Sequence, residues 1–311
     1  MDLKQLRALV TVAETGNVTK ASVLLNIVQP AVSRQLRLLE EDMGTELFER
    51  GRHGMELTAD GKTMVEYARR ILNEVARAKA EIRPGQKGTI GGIVTIGLLA
   101  STADLLSNPL VTAVAEKYPG IRLRISVGYA GHLVDWLEKG EVDVALLYDQ
   151  KQTPALQVKT LLEEALWVVG PPSSSLRRNK PVQMAQVVKH PFILPSAPHG
   201  LLALMEQAAT LMGLEFSVIA ETNALSVQKS LVASGHGWTI LPVVAVADDV
   251  ARGTLRGAPL AEPALLRKIV LAAPTSRQAT APVRCVVAAL LECMKAAVDE
   301  RKWAGARWLG D

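Results

Sequence analysis

Gln29, Ser33 and Arg37 recur at i, i+4 and i+8, with Pro30 and Arg34 beside them. On a helix that spacing gathers all five on one polar, basic face and leaves the other face to be buried. Arginine pairs bidentately with guanine and glutamine with adenine in a major groove, so the face either reads DNA or stands as a solvated surface. A second basic group, Arg50, Arg52 and His53, surrounds the turn Gly51-Arg52-His53-Gly54 and suits phosphate or minor-groove contact. A third group is Ala100, Ser101 and Thr102, where an apolar strand ends and a helix begins. Free N–H groups and two hydroxyls there either seat a carboxylate or similar anion, or simply cap the helix. Ligands of open α/β sheets lie beyond the carboxyl ends of strands. That rule adds Tyr129, Ala130, Gly131 and His132, then Tyr148, then Ser196, His199 and Gly200. His132 and His199 are either ligand contacts or locally hydrogen-bonded loop residues.

The elements that position these groups follow from periodicity. Leu3, Leu6, Leu9, Val10 and Ala13 predict a helix ended by Gly16-Asn17. Thr19 is expected to cap a second short helix burying Ala21, Leu24 and Leu25. Asn26-Ile27 then turns the chain, and Pro30 opens a third helix that buries Val32, Leu36 and Leu39 up to Gly44. Two short helices and a tight turn make a helix-turn-helix. Short strands at 46–50 and 55–58 complete the segment. A long helix over 59–87 carries Met64, Ala68, Ile71, Val75, Ala78 and Ile82 at spacings of 4, 3, 4, 3 and 4. That 3.5-residue period marks either a seam between two chains or the buried stripe of a helix lying on its own domain. A Pro-Gly hinge at 84–88 ends it. From 90 onward strands and helices alternate: strands at 93–99, 121–127, 142–147, 166–169, 192–194, 217–220, 239–241 and 268–272, the last followed by a helix over 283–298. Such alternation implies an α/β domain with parallel sheets covered on both faces. Trp303 and Trp308 fall in a polar tail with no assigned element.

A length of 311 residues implies at least two domains. Hydrophobic residues at 49% and charged residues at 21% exclude a mainly disordered chain. The net charge of +4 permits an anionic partner without requiring one. Residues 1–58 hold seven basic and eight acidic side chains, so any basic footprint there is local; 59–87 hold seven and four. Cys285 and Cys293 lie about 12 Å apart along one helix, too far to bridge, which fits a reducing compartment. The opening residues lack the apolar block of a secretory signal, and the longest uncharged run, 230–247, is broken by Gly235, Gly237 and Pro242. A cytoplasmic chain without a membrane span is expected.

Enzymatic signatures are missing. The five histidines include no i, i+4 pair, there is no Cys-x-x-Cys, and no phosphate-binding glycine loop or Gly-x-Ser-x-Gly elbow occurs. No metal or cofactor is expected.

Four segments in order carry a family resemblance: Met1-Asp2-Leu3-Lys4-Gln5-Leu6, Gln29-Pro30-Ala31-Val32-Ser33-Arg34-Gln35-Leu36-Arg37-Leu38-Leu39-Glu40, Gly44-Thr45-Glu46-Leu47-Phe48-Glu49-Arg50 and Leu57-Thr58-Ala59-Asp60-Gly61. They resemble LysR-type transcriptional regulators, and the likeness continues through 128–131, Asp143-Val144-Ala145-Leu146-Leu147-Tyr148 and 235–242. The resemblance implies a winged helix-turn-helix at 1–58, a dimerising linker helix and hinge at 59–87, and a two-lobed effector domain at 88–311, similar to type II periplasmic binding proteins. Lobe I would take about 91–161 and 267–298, and lobe II about 162–266. It further implies double-stranded DNA and a small-molecule effector as partners, homodimers or homotetramers, and an inducer cleft at the strand ends named above. One departure stands out. Val28 occupies a position where such regulators usually have Ser, Thr or Ala, which removes a side-chain cap from the recognition helix.

Overall fold

The computed structural model describes residues 1–51, 54–82, 90–196, 200–261, 264–276 and 278–310; the hinge expected at 84–88 lies outside them. The chain divides into two compact units, Met1–Gly92 with Glu138–Glu141, and Ile93–Leu137 with Val142–Asp311.

The first unit runs α1 (Leu3–Thr15), α2 (Val18–Leu25), α3 (Gln29–Met43), β1 (Phe48–Gly51), β2 (Gly54–Leu57) and α4 (Ala59–Ile82). Local chemistry sets each boundary. The Asp2 carboxylate accepts from Lys4 and Gln5 N–H at 2.7 and 2.8 Å, and Gln5 Oε1 accepts from Asp2 N–H, a reciprocal capping box. Asn17 caps α2 by accepting from Thr19 and Lys20 N–H, so Asn17 and not Thr19 is the cap: its side chain sits one residue before the first helical residue. Leu24, expected inside, is exposed, while Ala21 and Ser22 fill that contact. Asn26 takes φ 54° to turn the chain into α3. Leu6, Leu9, Val12, Val32, Leu36, Leu39, Leu47 and Ala68 form one core. Each is an aliphatic at helical spacing or at the root of the hairpin. Ala68 is fully buried there, with Met64, Ile71 and Leu72 packed against the same core.

The second unit begins with β3 (Gly91–Leu99), α5 (Ala100–Lys117), β4 (Gly120–Gly128), α6 (Ala130–Lys139) and β5 (Val144–Tyr148). Then β6 (Leu156–Gly170) spans 15 residues, about 50 Å of extended chain, enough to serve two cores. Next come β7 (Val182–Gln183), α7 (Met184–Val187), β8 (Pro191–Pro195), α8 (Gly200–Leu211), β9 (Ser217–Thr222), α9 (Leu225–Ala233), β10 (Thr239–Pro242), α10 (Val243–Arg252) and β11 (Arg256–Ala261). Strand β12 (Leu266–Pro274) returns, and α11 (Ala281–Asp299) and β13 (Ala306–Trp308) close the chain. Leu98, Leu106, Leu133, Leu146, Leu162 and Val286 belong to one core, and Val168, Phe192, Met205, Ile240 and Ala258 to another. The unit is two-lobed, with β6 contributing to both.

The sheets are not all parallel, as strand–helix alternation led one to expect. Strands β3 and β5 are parallel, as are β8 and β9, but β12 runs antiparallel to β5 and β6, and β10, β11 and β13 run antiparallel to β6. A chain that leaves one lobe on β6 and returns on β12 must bring those two strands together in opposite senses. The polar tail is also structured: β13 pairs with β6, and Trp303 is fully buried against the first core. Cys285 and Cys293 are free thiols on α11.

Candidate nucleic-acid interface and ligand cleft

Helix α3 turns Val32, Leu36 and Leu39 inward and leaves Gln29, Pro30, Ser33, Arg34 and Arg37 exposed on its outer face. Arg37 Nε lies 3.4 Å from Glu41 Oε1 one turn on, an exposed pair that leaves the guanidinium available. Val28 is the N-cap residue, 70% exposed, and makes no side-chain cap. Its carbonyl instead accepts from Ala31 N–H at 2.9 Å. Glu40 Oε1 accepts from Leu47 N–H at 2.9 Å and from Phe48 N–H at 3.3 Å, which ties the β1–β2 hairpin to α3. Met55 N–H donates to Gly16 O at 3.0 Å, and a Cβ on Gly54 would sit 2.3 Å from that same oxygen. Only glycine allows this approach, so the hairpin is held against the end of α1. Arg52, His53 and the side chain of Arg50 lie outside the described residues.

In the second unit, the carboxyl ends of β3, β5, β8 and β10 face a cavity between the lobes. Leu99, Ala100, Ser101, Tyr129 and Tyr148 line it from the first lobe, and Pro195, Leu201, Leu225, Gln228, Leu241 and Pro242 from the second. Helices α5, α9 and α10 each begin at this cavity, and none has a side-chain N-cap bond. Their first-turn N–H groups therefore give the space a positive bias. Arg267, 3% exposed, also lines the cavity. It pairs with the fully buried Glu164 at 2.6 Å, donates from Nη2 to Ser101 Oγ at 2.9 Å, and lies 4.8 Å over the Tyr148 ring. Trp303 Nε1 donates to Glu164 Oε2 at 2.8 Å, so the C-terminal segment completes the carboxylate's shell. Burial pushes the Tyr148 and Tyr129 phenols up, keeping both protonated and able to donate. Backbone N–H groups of Leu201 and Gly200 hydrogen-bond Tyr148, linking the end of β5 to the start of α8. The cavity opens into a depression bordered by Asp104, His132, Ser226 and Lys229.

The cavity brings together Ala100, Ser101, Tyr129 and Tyr148, and His132 borders its outer part. Thr102 is fully buried, and its hydroxyl donates to Leu99 O at 3.0 Å. Neither Ser101 nor Thr102 caps α5, because the helix starts at Ala100 and places both hydroxyls inside its first turn. Ala130 and Gly131 open α6 and do not line either space; Ser196 N–H donates to Thr222 O; His199 lies outside the described residues. Gly200 contributes backbone, since a Cβ there would lie 2.7 Å from Tyr148 Cε2. Sequence reasoning missed Gln228, Leu241, Pro242 and Arg267 as cavity residues. A signal for Arg267 exists: it and Glu164 are opposite charges set in apolar strand runs, a pattern that needs pairing when buried.

Comparison with known proteins follows the same division of the chain. The family described as "Bacterial regulatory helix-turn-helix protein, lysR family" matches residues 3–62, and the "LysR substrate binding domain" matches 87–295. The HTH-type transcriptional regulator BbuR of Bordetella bronchiseptica is 27% identical over 98% of this chain and 94% of its own length. A probable nitrogen assimilation transcriptional activator of Synechococcus elongatus is 31% identical over 91% of this chain and 92% of its own. Among solved structures, full-length CbnR complexed with its target DNA has a similar fold, with a TM-score of 0.72 at 22% identity, covering 96% of this chain and 100% of that one. The chain therefore belongs to the LysR family of transcriptional regulators, ligand-responsive proteins with an N-terminal helix-turn-helix for DNA and a two-lobed effector-binding domain, and it is not an enzyme.

Proposed function

We propose that this regulator senses a small anionic metabolite and works in the cytoplasm as a homodimer or homotetramer on DNA. Residues 1–58 read the operator, 59–87 join two chains, and 88–311 take the effector. Gln29, Pro30, Ser33, Arg34 and Arg37 contact base edges, and Arg50, Arg52 and His53 of the hairpin contact backbone or minor groove. The exposed polar face of α3 supports this, as does the DNA-bound state of the CbnR neighbour. Pairing along α4 falls chiefly to Val75 and the exposed Ala78, because Ala68 is taken up by the unit's own core and Met64 and Ile71 are half-buried against it; the side chain of Ile82 lies outside the described residues. Among the described residues no helix is long and apolar enough to cross a membrane.

The observation that carries the anionic assignment is the meeting of Arg267, Ser101 and the uncapped start of α5 at one cavity wall. The ligand closes the two lobes and thereby shifts the arrangement of the DNA-binding heads, by as much as its affinity for the two arrangements differs. Thermal unfolding of the full chain with small organic acids and their uncharged amides tests this. Binding to the native state raises the midpoint, so acids should raise it and their amides should not. Equal shifts from acid and amide would remove the anionic reading.

A further inference from the structure

Gln228 is only 2% exposed, yet it lines the cavity from α9. Its Nε2 donates to Thr239 Oγ1 at 2.7 Å and to Ile193 O at 3.2 Å. A backbone carbonyl can only accept, so the amide nitrogen must face Ile193 and the assignment of its two ends is fixed. Both N–H donors are thereby used, while Oε1 makes no hydrogen bond among the described residues. On the opposite wall, Arg267 donates through Nε and Nη2, and its Nη1 makes no hydrogen bond among the described residues. The cavity thus has an unused donor on the first lobe's side, an unused acceptor on the second, and mostly apolar side chains between.

We infer that the effector is a compact carboxylate bearing one hydroxyl or amine donor on an apolar body, a hydroxy or amino monocarboxylic acid. The carboxylate meets Arg267 Nη1 and Ser101 at the start of α5, and the donor meets Gln228 Oε1. Each end engages a different lobe, so the molecule binds the closed arrangement better than the open one. A desolvated amide oxygen satisfied only by the ligand rejects an analogue without the donor. This inference rests on the anion-sensing reading above and narrows it.

Calorimetric titration of the full chain with matched probes tests it: benzoate, 3-hydroxybenzoate and 3-methoxybenzoate; 4-methylpentanoate, its 2-hydroxy derivative and leucine; and phthalate with glucose 6-phosphate as outsiders. In one series at least, the donor-bearing acid should bind about tenfold tighter than the parent. The methoxy probe keeps the oxygen, cannot donate, and should behave like the parent. Gln228→Leu should erase the preference, read as the ratio of donor-bearing acid to parent within each series; should that variant not fold, the methoxy comparison in the unaltered chain decides. Equal affinities within both series, a methoxy probe as tight as the hydroxy one, a preference that survives in Gln228→Leu, or binding by none of these acids would each overturn the inference. Binding by phthalate or glucose 6-phosphate alone would overturn it and leave anion sensing intact, whereas acids and amides binding alike would remove both.

Discussion

Val28 stands at the start of the recognition helix with no oxygen to offer the first-turn N–H groups. Val28→Ser should therefore stabilise the first unit by about 1 kcal/mol in urea unfolding of the full chain, and an unchanged or lowered midpoint would contradict the capping argument. On the same helix, Arg34→Ala should weaken binding to a specific duplex by about 1–3 kcal/mol while affecting random duplexes far less. A uniform loss on both, read by fluorescence anisotropy, would assign Arg34 to the phosphates instead. At this scale the exposed polar face of α3 is legible in sequence because i, i+4 spacing converts directly into one helical surface. Gln228 is not legible. One glutamine in an amphipathic helix looks solvated, and only the fold shows that Thr239 and Ile193 hold it inside.

Helices of the first unit are announced by their punctuation: Gly16, Asn26 and Gly44 all take positive φ at helix ends. The second unit is less readable. Helix α10 and strand β11 are not assigned from sequence, although Val243, Val246 and Val250 of α10 fall at helical spacing, and β6 looks like a short strand because Glu163 and Glu164 interrupt its apolar run. That interruption is where the strand passes between lobes. Glu164 faces Arg267 across the β6–β12 ladder, and Trp303 caps the pair from the C-terminal segment. Trp303→Phe keeps most of the apolar contact but leaves Glu164 Oε2 buried without its donor, a loss of about 1–3 kcal/mol by chemical denaturation. A neutral result would mean the tail only packs. Gly200→Ala drives a methyl into the Tyr148 ring and should destabilise by about 1–3 kcal/mol, with weaker acid binding as the lobes are held apart. Unaltered stability and acid affinity would show that α8 and Tyr148 adjust freely.

For the molecule as a whole, the division between a helix-turn-helix and an α/β unit is legible because two patterns with different periods meet within one chain, whereas the two lobes are implied only by the resemblance to LysR-type regulators. What the sequence withheld was the sense of the crossing strands, which depends on how the chain returns and not on any local pattern. The basic excess is small, +4 overall, so a general positive field is a weak source of DNA affinity, and the proposed α3 and hairpin contacts are expected to supply it locally. Such binding still releases counterions and must weaken steeply with salt. The most direct measurement is a footprint of the purified chain, with Arg34→Ala alongside, across the region upstream of its own gene and across duplexes it selects from a random pool, at two salt concentrations. A protected, roughly symmetric site is expected, its occupancy falling with salt and lost in the variant. No protection on any duplex at low salt, or a footprint identical for the variant, would contradict that expectation.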